Sequence, residues 1–447
     1  MDSLLFLILC LVSLFIANYA MGSPDFRIPL YSTKTPYFWG KDIDEFIRED
    51  EEIWVDYDNK ECQIIHLNLI LRHGSRSPTL SWIKKMTVLG NILKSNPEVI
   101  ERFPFLNSWE NPFPETQAGH LSDLGEDEHF SLGRRFGRRF SLLFTGDLEN
   151  ILYGVTYKQR TQASCASFYE GLTDTLDGES LKNVKPAIND KLLRFFDTCS
   201  KYIKSVENNK TAAPEHTSFK YGPEMQRIAQ KIADKLGLKT LNSEEAQTIH
   251  HLCAFELAMF DKSDWCDMLE KEDLFIFEYL YDLKQYWNRG YGHSVNWGMS
   301  CPFNSNVFKQ LNDVIYKARN GEDYNVADIQ FAHAETIIPI FTAFGLFNDS
   351  VPLKADNYES QKERQFRTSK IVPMSASFGI GLYQCEASEN TEEEVYVVRM
   401  FVNEKPIVIP ACEQEICEYK QFMKYYDDLV NCNYAEICEN NKLHDEL

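Results

Sequence analysis

Apolar and polar positions alternate along this chain with changing period, and the changes mark its elements. The first apolar run, Leu4 to Ile16, holds 13 residues without a charge. That is short for a membrane span and suits the core of a secretory signal. Small residues follow at Ala20 and Gly22, so residues 1–22 are expected to be removed, although Asp2 stands where a positive charge is usual. No later stretch is long and apolar enough to cross a bilayer, and no stable membrane span is expected. From Ile64 to Leu71 the run IIHLNLIL predicts a strand that breaks into the turn-prone RHGSRSP. Residues 116–142 predict a long helix with Leu121, Leu124, Phe130, Leu132, Phe136 and Phe140 broadly on one side. Ile151–Tyr157 predicts a second strand, with a helix through Gly171. Ile329–Ala332 is a third short apolar run that ends at His333, and EVYVVRMFVN (394–403) is the clearest strand near the C-terminus.

Between about 173 and 315 the period is helical. Pro223 opens one helix, and Met225, Ile228, Ile232 and Leu236 follow at helical spacing. Asn242 caps another, with Glu245 three residues on. Residues 272–289 form a third, rich in aromatics. The expected architecture is therefore α/β: residues 23–172 plus 316–447 form a discontinuous sheet domain, and a mostly α-helical domain at 173–315 is inserted in it. Residues 24–60, proline-rich and charged, read as an N-terminal arm wrapping the body.

Composition narrows the function. With 447 residues and 44% apolar content, the chain can bury a large core. A net charge of -21 argues against nucleic acid as a partner, because phosphate backbones are bound by basic surfaces. The excess is uneven: residues 386–447 carry 15 acidic and 5 basic side chains, which reads as a solvated surface tied by disulfides. The last four residues, His444-Asp445-Glu446-Leu447, spell a retention signal read by a receptor of the endoplasmic reticulum. Together with the leader they place the protein in the lumen of that compartment, with partial secretion. Without Cys10, 11 cysteines remain; most should pair in an oxidising lumen, and an odd one is left over. Sequons at Asn209-Lys210-Thr211 and Asn348-Asp349-Ser350 are expected glycosylation sites on exposed loops.

The chemistry concentrates at Arg72-His73-Gly74-Ser75-Arg76-Ser77-Pro78. This segment stands where a predicted strand ends, the usual place for ligands in open α/β sheets. Two planar guanidiniums suit a phosphoryl group, which offers several acceptor oxygens and up to two negative charges. Gly74 lets the backbone approach closely, and the imidazole of His73 is placed to attack phosphorus.

RHGxRxP resembles the signature of the histidine acid phosphatases, a branch of the phosphoglycerate-mutase-like superfamily. Further matches follow in family order over about residues 60–420. LSDLGEDEHFSLGRRFGRRF (121–140) resembles a family helix, and QRTQASCASFYEGL (159–172) puts Arg160 on the third phosphate-binding arginine. FAHAETIIPIFTAFGLF (331–347) resembles the second catalytic motif, and EVYVVRMFVNEKPIVIPAC (394–412) the C-terminal strand. Where most members carry His-Asp, this chain has His333-Ala334-Glu335, the form seen in the multiple inositol polyphosphate phosphatases; DLKQYWNRGYG (282–292) also looks like that group.

The resemblance implies a phosphoglycerate-mutase-like sheet sandwiched by helices, and hydrolysis of phosphomonoesters with no metal or organic cofactor. It implies His73 as nucleophile, Arg72, Arg76, Arg160 and His333 as phosphate ligands, and Glu335 as the acid that protonates the leaving alkoxide. The implied substrates are inositol hexakisphosphate and lower inositol polyphosphates, with 2,3-bisphosphoglycerate as a second. Thr79, Lys84 and Lys85 are candidates for a basic substrate pocket, although a solvated helix face also accounts for the lysines. By resemblance to fungal phytases, Cys62 pairs with Cys385, Cys253 with Cys266, Cys412 with Cys417, and Cys199 with Cys432 or Cys438. A metal site at His250, His251 and Cys253 lacks further ligands and is not expected. A broad-specificity acid phosphatase, and a non-catalytic binding protein of the endoplasmic reticulum on the same fold, remain the alternatives.

Overall fold

The computed structural model describes residues 26–41, 52–145, 148, 150–175, 185–386 and 394–439. The expected leader and the tail motif His444–Leu447 lie outside the described residues. Among the described residues nine strands form one sheet in the order β4-β3-β5-β2-β6-β7-β8, with β1 paired to β2 and β9 to β7. They are β1 (Trp54–Tyr57), β2 (Lys60–Arg72), β3 (Ile151–Val155), β4 (Ala187–Ile188), β5 (Ala327–Ala332), β6 (Ser377–Cys385), β7 (Tyr396–Val402), β8 (Lys405–Ile407) and β9 (Ile416–Glu418). β4, β3, β5 and β2 run parallel. β6 turns the sheet antiparallel against β2, and β7 continues it.

Alternation within β2 assigns the two faces. Leu67, Leu69 and Leu71 pack with Leu132, Phe136 and Phe168 from helices α2 (Asp123–Arg139) and α3 (Gln159–Thr173). Ile70 points into the second core, which runs without a break through the helical residues 193–315 to Phe378 and Val398. The helical segment thus shares its core with one face of the sheet. It also lends the sheet an edge, since β4 lies beyond the boundary expected at 172.

Local signals account for most of the helices. Pro223 begins one at its first turn, and Gly237, at φ 75°, closes it in the left-handed conformation. Asn242 accepts from the backbone of Glu244 and Glu245 while the Glu245 side chain bonds back to Asn242 N–H, a complete capping box for Ser243–Phe260. His250 and His251 on that helix are buried among rings; His251 stacks on Trp82 with centroids 3.8 Å apart, and Tyr281 OH lies 3.2 Å from its Nδ1. The long helix expected over 116–142 is shorter, Asp123–Arg139. Residues before it are drawn into a bridge between Arg76 and Leu121, and Ser122 then caps the helix at Gly125 N. β6 was not expected from the sequence; Leu80–Lys94 (α1) is the helix considered for Lys84 and Lys85, and Cys301–Asn320 (α4) runs past residue 315, the expected end of the helical segment.

Among the described residues five disulfides tie these parts: Cys62–Cys385, Cys199–Cys438, Cys253–Cys266, Cys301–Cys432 and Cys412–Cys417. The alternative left for Cys199 resolves to Cys438, and Cys301 takes Cys432. Cys165 is the free, buried thiol among the described residues. Asn209 and Asn348 are both exposed.

Candidate active site

Parallel pairing brings the two expected catalytic motifs together. Arg72 at the end of β2 is opposite Ala332 at the end of β5, so the next residue of each strand, His73 and His333, emerge side by side. Their ring centroids are 5.5 Å apart, and His73 N donates to Ala332 O at 3.0 Å. β3 ends one strand further on, and Arg160 follows on the first turn of α3.

The loop after β2 is fixed from below by one buried carboxylate. Glu128 Oε1 accepts from Tyr37 N at 2.8 Å and Ser75 Oγ at 2.9 Å; its Oε2 accepts from Ser75 N and Ser375 Oγ, each at 2.8 Å. Burial raises the Glu128 pKa, and these bonds oppose the rise. A Cβ at Gly74 would lie 2.4 Å from Gly125 O, which is why this position takes glycine. Ser122 N and Oγ both donate to Ser75 O.

Within this frame His73 Nδ1 sits 2.9 Å from Gly74 O. A carbonyl only accepts, so Nδ1 carries the proton and Nε2 keeps its lone pair. Burial, reinforced by Arg160, Arg72 and Arg76, holds the imidazole well below its ordinary pKa, so it is neutral and nucleophilic. Arg72 spends Nη1 on Thr33 O (2.7 Å) and Val372 O (2.9 Å), while the buried Nε atoms of Arg72, Arg76 and Arg160 have no protein partner. Burial lowers the Arg72 and Arg76 pKa, and mutual repulsion with Arg160 adds to it. Crowded guanidiniums with spare donors make a binding place for a compact anion.

His333 lies between cations. Its Nδ1 is 3.4 Å from Arg160 Nη2, and its Nε2 is 3.1 Å from Thr156 Oγ1 and 3.2 Å from Arg194 Nη1. Glu335 follows at the start of the helix Ala334–Ala343 (α5), and its side chain, 40% exposed, faces a cavity of about 460 Å³. Lys158, Arg160, Arg194, Arg289 and His333 share that cavity. Burial pushes the Glu335 carboxyl up, but Arg289, His333, its own backbone N–H and Arg72 outweigh it and hold the group well below the usual carboxylate range. The sequence reading placed an acid here; before substrate binds, the residue is a carboxylate.

The six motif residues are thus brought together. Thr79, Lys84 and Lys85 are not among the residues lining this cavity. Thr79 is exposed, bonded to Ser81 Oγ, and the two lysines line a separate depression with Asn242, Glu244 and Glu245. Lys85 pairs with Glu244 at 3.6 Å, the solvated helix-face role. The structure supplies other cations: Arg194, Arg289 and Lys158 from loops and helix ends, and Lys34 from the N-terminal arm. Burial, Lys284, Arg76 and Arg72 pull the Lys34 pKa down to about 7. None of these lies in a motif, although Arg289 falls inside the DLKQYWNRGYG segment.

The profile of the histidine phosphatase superfamily (branch 2) matches residues 63–403. The chain belongs to that family. Its curated relatives include multiple inositol polyphosphate phosphatase 1 of Gallus gallus, 35% identical over 86% of this chain and 87% of the relative. The Homo sapiens protein of the same name is 33% identical over 94% and 93%. Among solved structures, the multiple inositol polyphosphate phosphatase of Bifidobacterium longum in complex with inositol hexasulfate superposes with a TM-score of 0.68 at 16% identity, covering 93% of this chain and 99% of the other. The phytase of D. castellii gives 0.70 at 20% identity over 88% and 85%. As a member of the histidine phosphatases, this chain is a phosphatase, and the paired histidines in their arginine cradle are where its chemistry is sought.

Proposed function

We propose that this phosphatase removes phosphates from inositol hexakisphosphate and lower inositol polyphosphates through a phosphohistidine on His73. The observation that carries this reading is the commitment of His73 Nδ1 to Gly74 O, which leaves Nε2 as an unprotonated nucleophile inside the cradle of Arg72, Arg76 and Arg160. Nε2 attacks phosphorus, the P–O ester bond breaks, and its electron pair goes to the leaving oxygen. The arginines and His333 stabilise the oxygens of the transferring group. Glu335 donates the proton that the leaving alkoxide needs, then takes one from the water that cleaves the N–P bond. Because Glu335 is ionised in the free enzyme, it must first gain a proton. A phosphate dianion bound among the arginines offsets their charge and raises the carboxyl pKa.

The relatives' names and the cationic cavity support the polyphosphate class. Lys158, Arg194, Arg289 and Lys34 add charge beyond what one phosphate needs, and at a Debye length of about 8 Å the local field outweighs the distant net charge. The tail and leader motifs support residence in the lumen of the endoplasmic reticulum, and the exposed sequons support glycosylation at Asn209 and Asn348.

The test is phosphate release from inositol hexakisphosphate between pH 3.5 and 8, for wild type, His73→Ala and Glu335→Gln. Release that vanishes in the first variant and falls sharply in the second establishes the activity and both roles. Turnover of an aryl phosphate alone would make the protein a general acid phosphatase, and silence on both would leave a binding protein.

A further inference from the structure

Glu335 shares its nearest cation with a second carboxylate. Arg289, the last residue of the helix Lys271–Arg289, places Nη2 3.7 Å from Glu335 Oε1 and 3.5 Å from Glu207 Oε2. Tyr202 OH donates to that same Glu207 oxygen at 2.9 Å. All three ionic side chains line the 460 Å³ cavity, with Arg289 the most enclosed at 11% exposure. Arg289 Nε has no protein partner.

The other groups facing Glu335 are of a different kind. Arg72 comes from the end of β2, Arg76 from the loop after it, Arg160 from α3 and His333 from the residue after β5; these are the proposed phosphate ligands, and bound phosphate offsets them. Lys158, Arg194 and Asp197 line the same cavity, and Lys34 of the N-terminal arm, Lys284 of the helix Lys271–Arg289 and the Tyr202 phenol interact with the carboxylate at longer range; none of them forms an ion pair with it. Arg289 alone among the described residues stands at ion-pair distance from Glu335.

We infer that Arg289 is a positioning residue that keeps Glu335 ionised before substrate binds, with Glu207 competing for the same guanidinium. A phosphate of the substrate entering the cavity is a second competitor. As it draws on Arg289, Glu335 takes a proton from solvent, and this proton passes to the leaving oxygen when the P–O bond breaks. Glu335 returns as a carboxylate, and the attacking water restores its proton. A polyanion thereby arms its own acid, and a monoester with one phosphate does so less. This inference rests on the proposed acid role of Glu335.

The charges give opposite signs for two substitutions. Arg289→Gln removes a cation 3.7 Å away, so Glu335 holds its proton to higher pH and the basic limb of kcat/KM moves up by about 1–3 pH units. Glu207→Gln removes an anion and leaves Arg289 wholly to Glu335, so the limb moves down. Arg289→Lys restores part of the wild-type position. The profiles are recorded with inositol hexakisphosphate and with 4-nitrophenyl phosphate. In parallel, the carboxyl is titrated directly by carbon-13 NMR of the whole enzyme labelled at glutamate Cδ, the resonance being assigned by its loss in Glu335→Gln. Opposite displacements of limb and titration establish the role. A limb and titration that stay put in all variants, or a fall in kcat that Arg289→Lys does not relieve and that leaves the pH profile unchanged, would overturn it. If wild type fails to hydrolyse inositol hexakisphosphate, the proposed substrate is wrong, and the carboxyl titration still decides the role of Arg289.

Discussion

At the phosphate end of the cavity, functional side chains are held by backbone connections to the sheet; at the acid end they are held by ion pairs between helices and loops. His73 hangs on a strand end, on its own neighbour's carbonyl and on a loop that Glu128 grips with two hydrogen bonds to Ser75 and ties by two more to Tyr37 and Ser375. Glu335, Arg289 and Glu207 hold one another at 3.5–3.7 Å with 40% and 46% of the two carboxylate side chains exposed. The difference follows from the chemistry. In the proposed mechanism a nucleophile and its cradle must meet phosphorus in one geometry, which buried, backbone-anchored groups provide. An acid must gain and lose a proton each turnover, so it is accessible and its counter-ion can be shared.

Breaking the rigid end has the largest effect. His73→Ala is expected to lower turnover on the order of 10⁴-fold or more, with no phosphoenzyme trapped on rapid quenching. Retention of a phosphorylated enzyme would put the nucleophile elsewhere. Glu335→Gln is expected to cost 10²–10⁴-fold, in the range of general acid catalysis, on inositol hexakisphosphate. The loss should be much smaller on an aryl phosphate, whose leaving group needs less protonation; an equal loss on both would mean Glu335 binds rather than protonates.

Stability tells the same two ends apart. Glu128→Ala strands buried donors of Tyr37, Ser75 and Ser375 and is expected to destabilise the fold by about 3 kcal/mol, read as a shift of the urea midpoint. Buried neutral histidines behind the sheet site add a pH dependence. Burial holds His66 at about 4 and His129 at about 3, below the ordinary 6.5 of the unfolded chain. Their contribution is complete above pH 6.5 and is lost as pH falls, at about 1.4 kcal/mol per group per pH unit, toward pH 4 for His66 and pH 3 for His129. A urea midpoint flat from pH 7 to 4.5 would contradict this. The smallest effect belongs to the open end: Asp197→Ala, which removes the 47% exposed partner of Arg194, should change stability by less than about 1 kcal/mol.

The rigid end was also the legible one. Ile64–Leu71 announces a buried strand by its run of branched residues, and the residues after it are consecutive, so RHGSRSP displays its function in one line. The acid end joins Glu335, which the HAE motif marks, to Arg194, Glu207 and Arg289, single residues 46 to 141 positions upstream of it. Nothing local marks Arg194 or Glu207, and Arg289 sits in DLKQYWNRGYG with no role assigned to it there. Lys84 and Lys85 misled for the converse reason: they sit beside the motif in sequence, but α1 turns them to another depression. β6 was hidden because Gly379 and Gly381 interrupt its apolar pattern; in the sheet they lie against Leu67, Leu69 and Ile64, where small residues suffice. Thr33 carried no signal either, since it serves Arg72 through a backbone carbonyl that any residue offers.

The sheet order has a consequence in time. β2, the strand that leads into His73, has β5 and β6 as partners beyond its short pairing with β1, and His333 lies 260 residues downstream of His73. At about 5–20 residues per second of synthesis, roughly 13–50 s pass between the making of His73 and the making of His333. During that interval the buried half of β2, Leu67–Arg72, has neither β5 nor β6 beside it, and Cys62 waits still longer for Cys385. A nascent chain is therefore catalytically silent until its last third has emerged, and it depends on its surroundings to shield β2 until then.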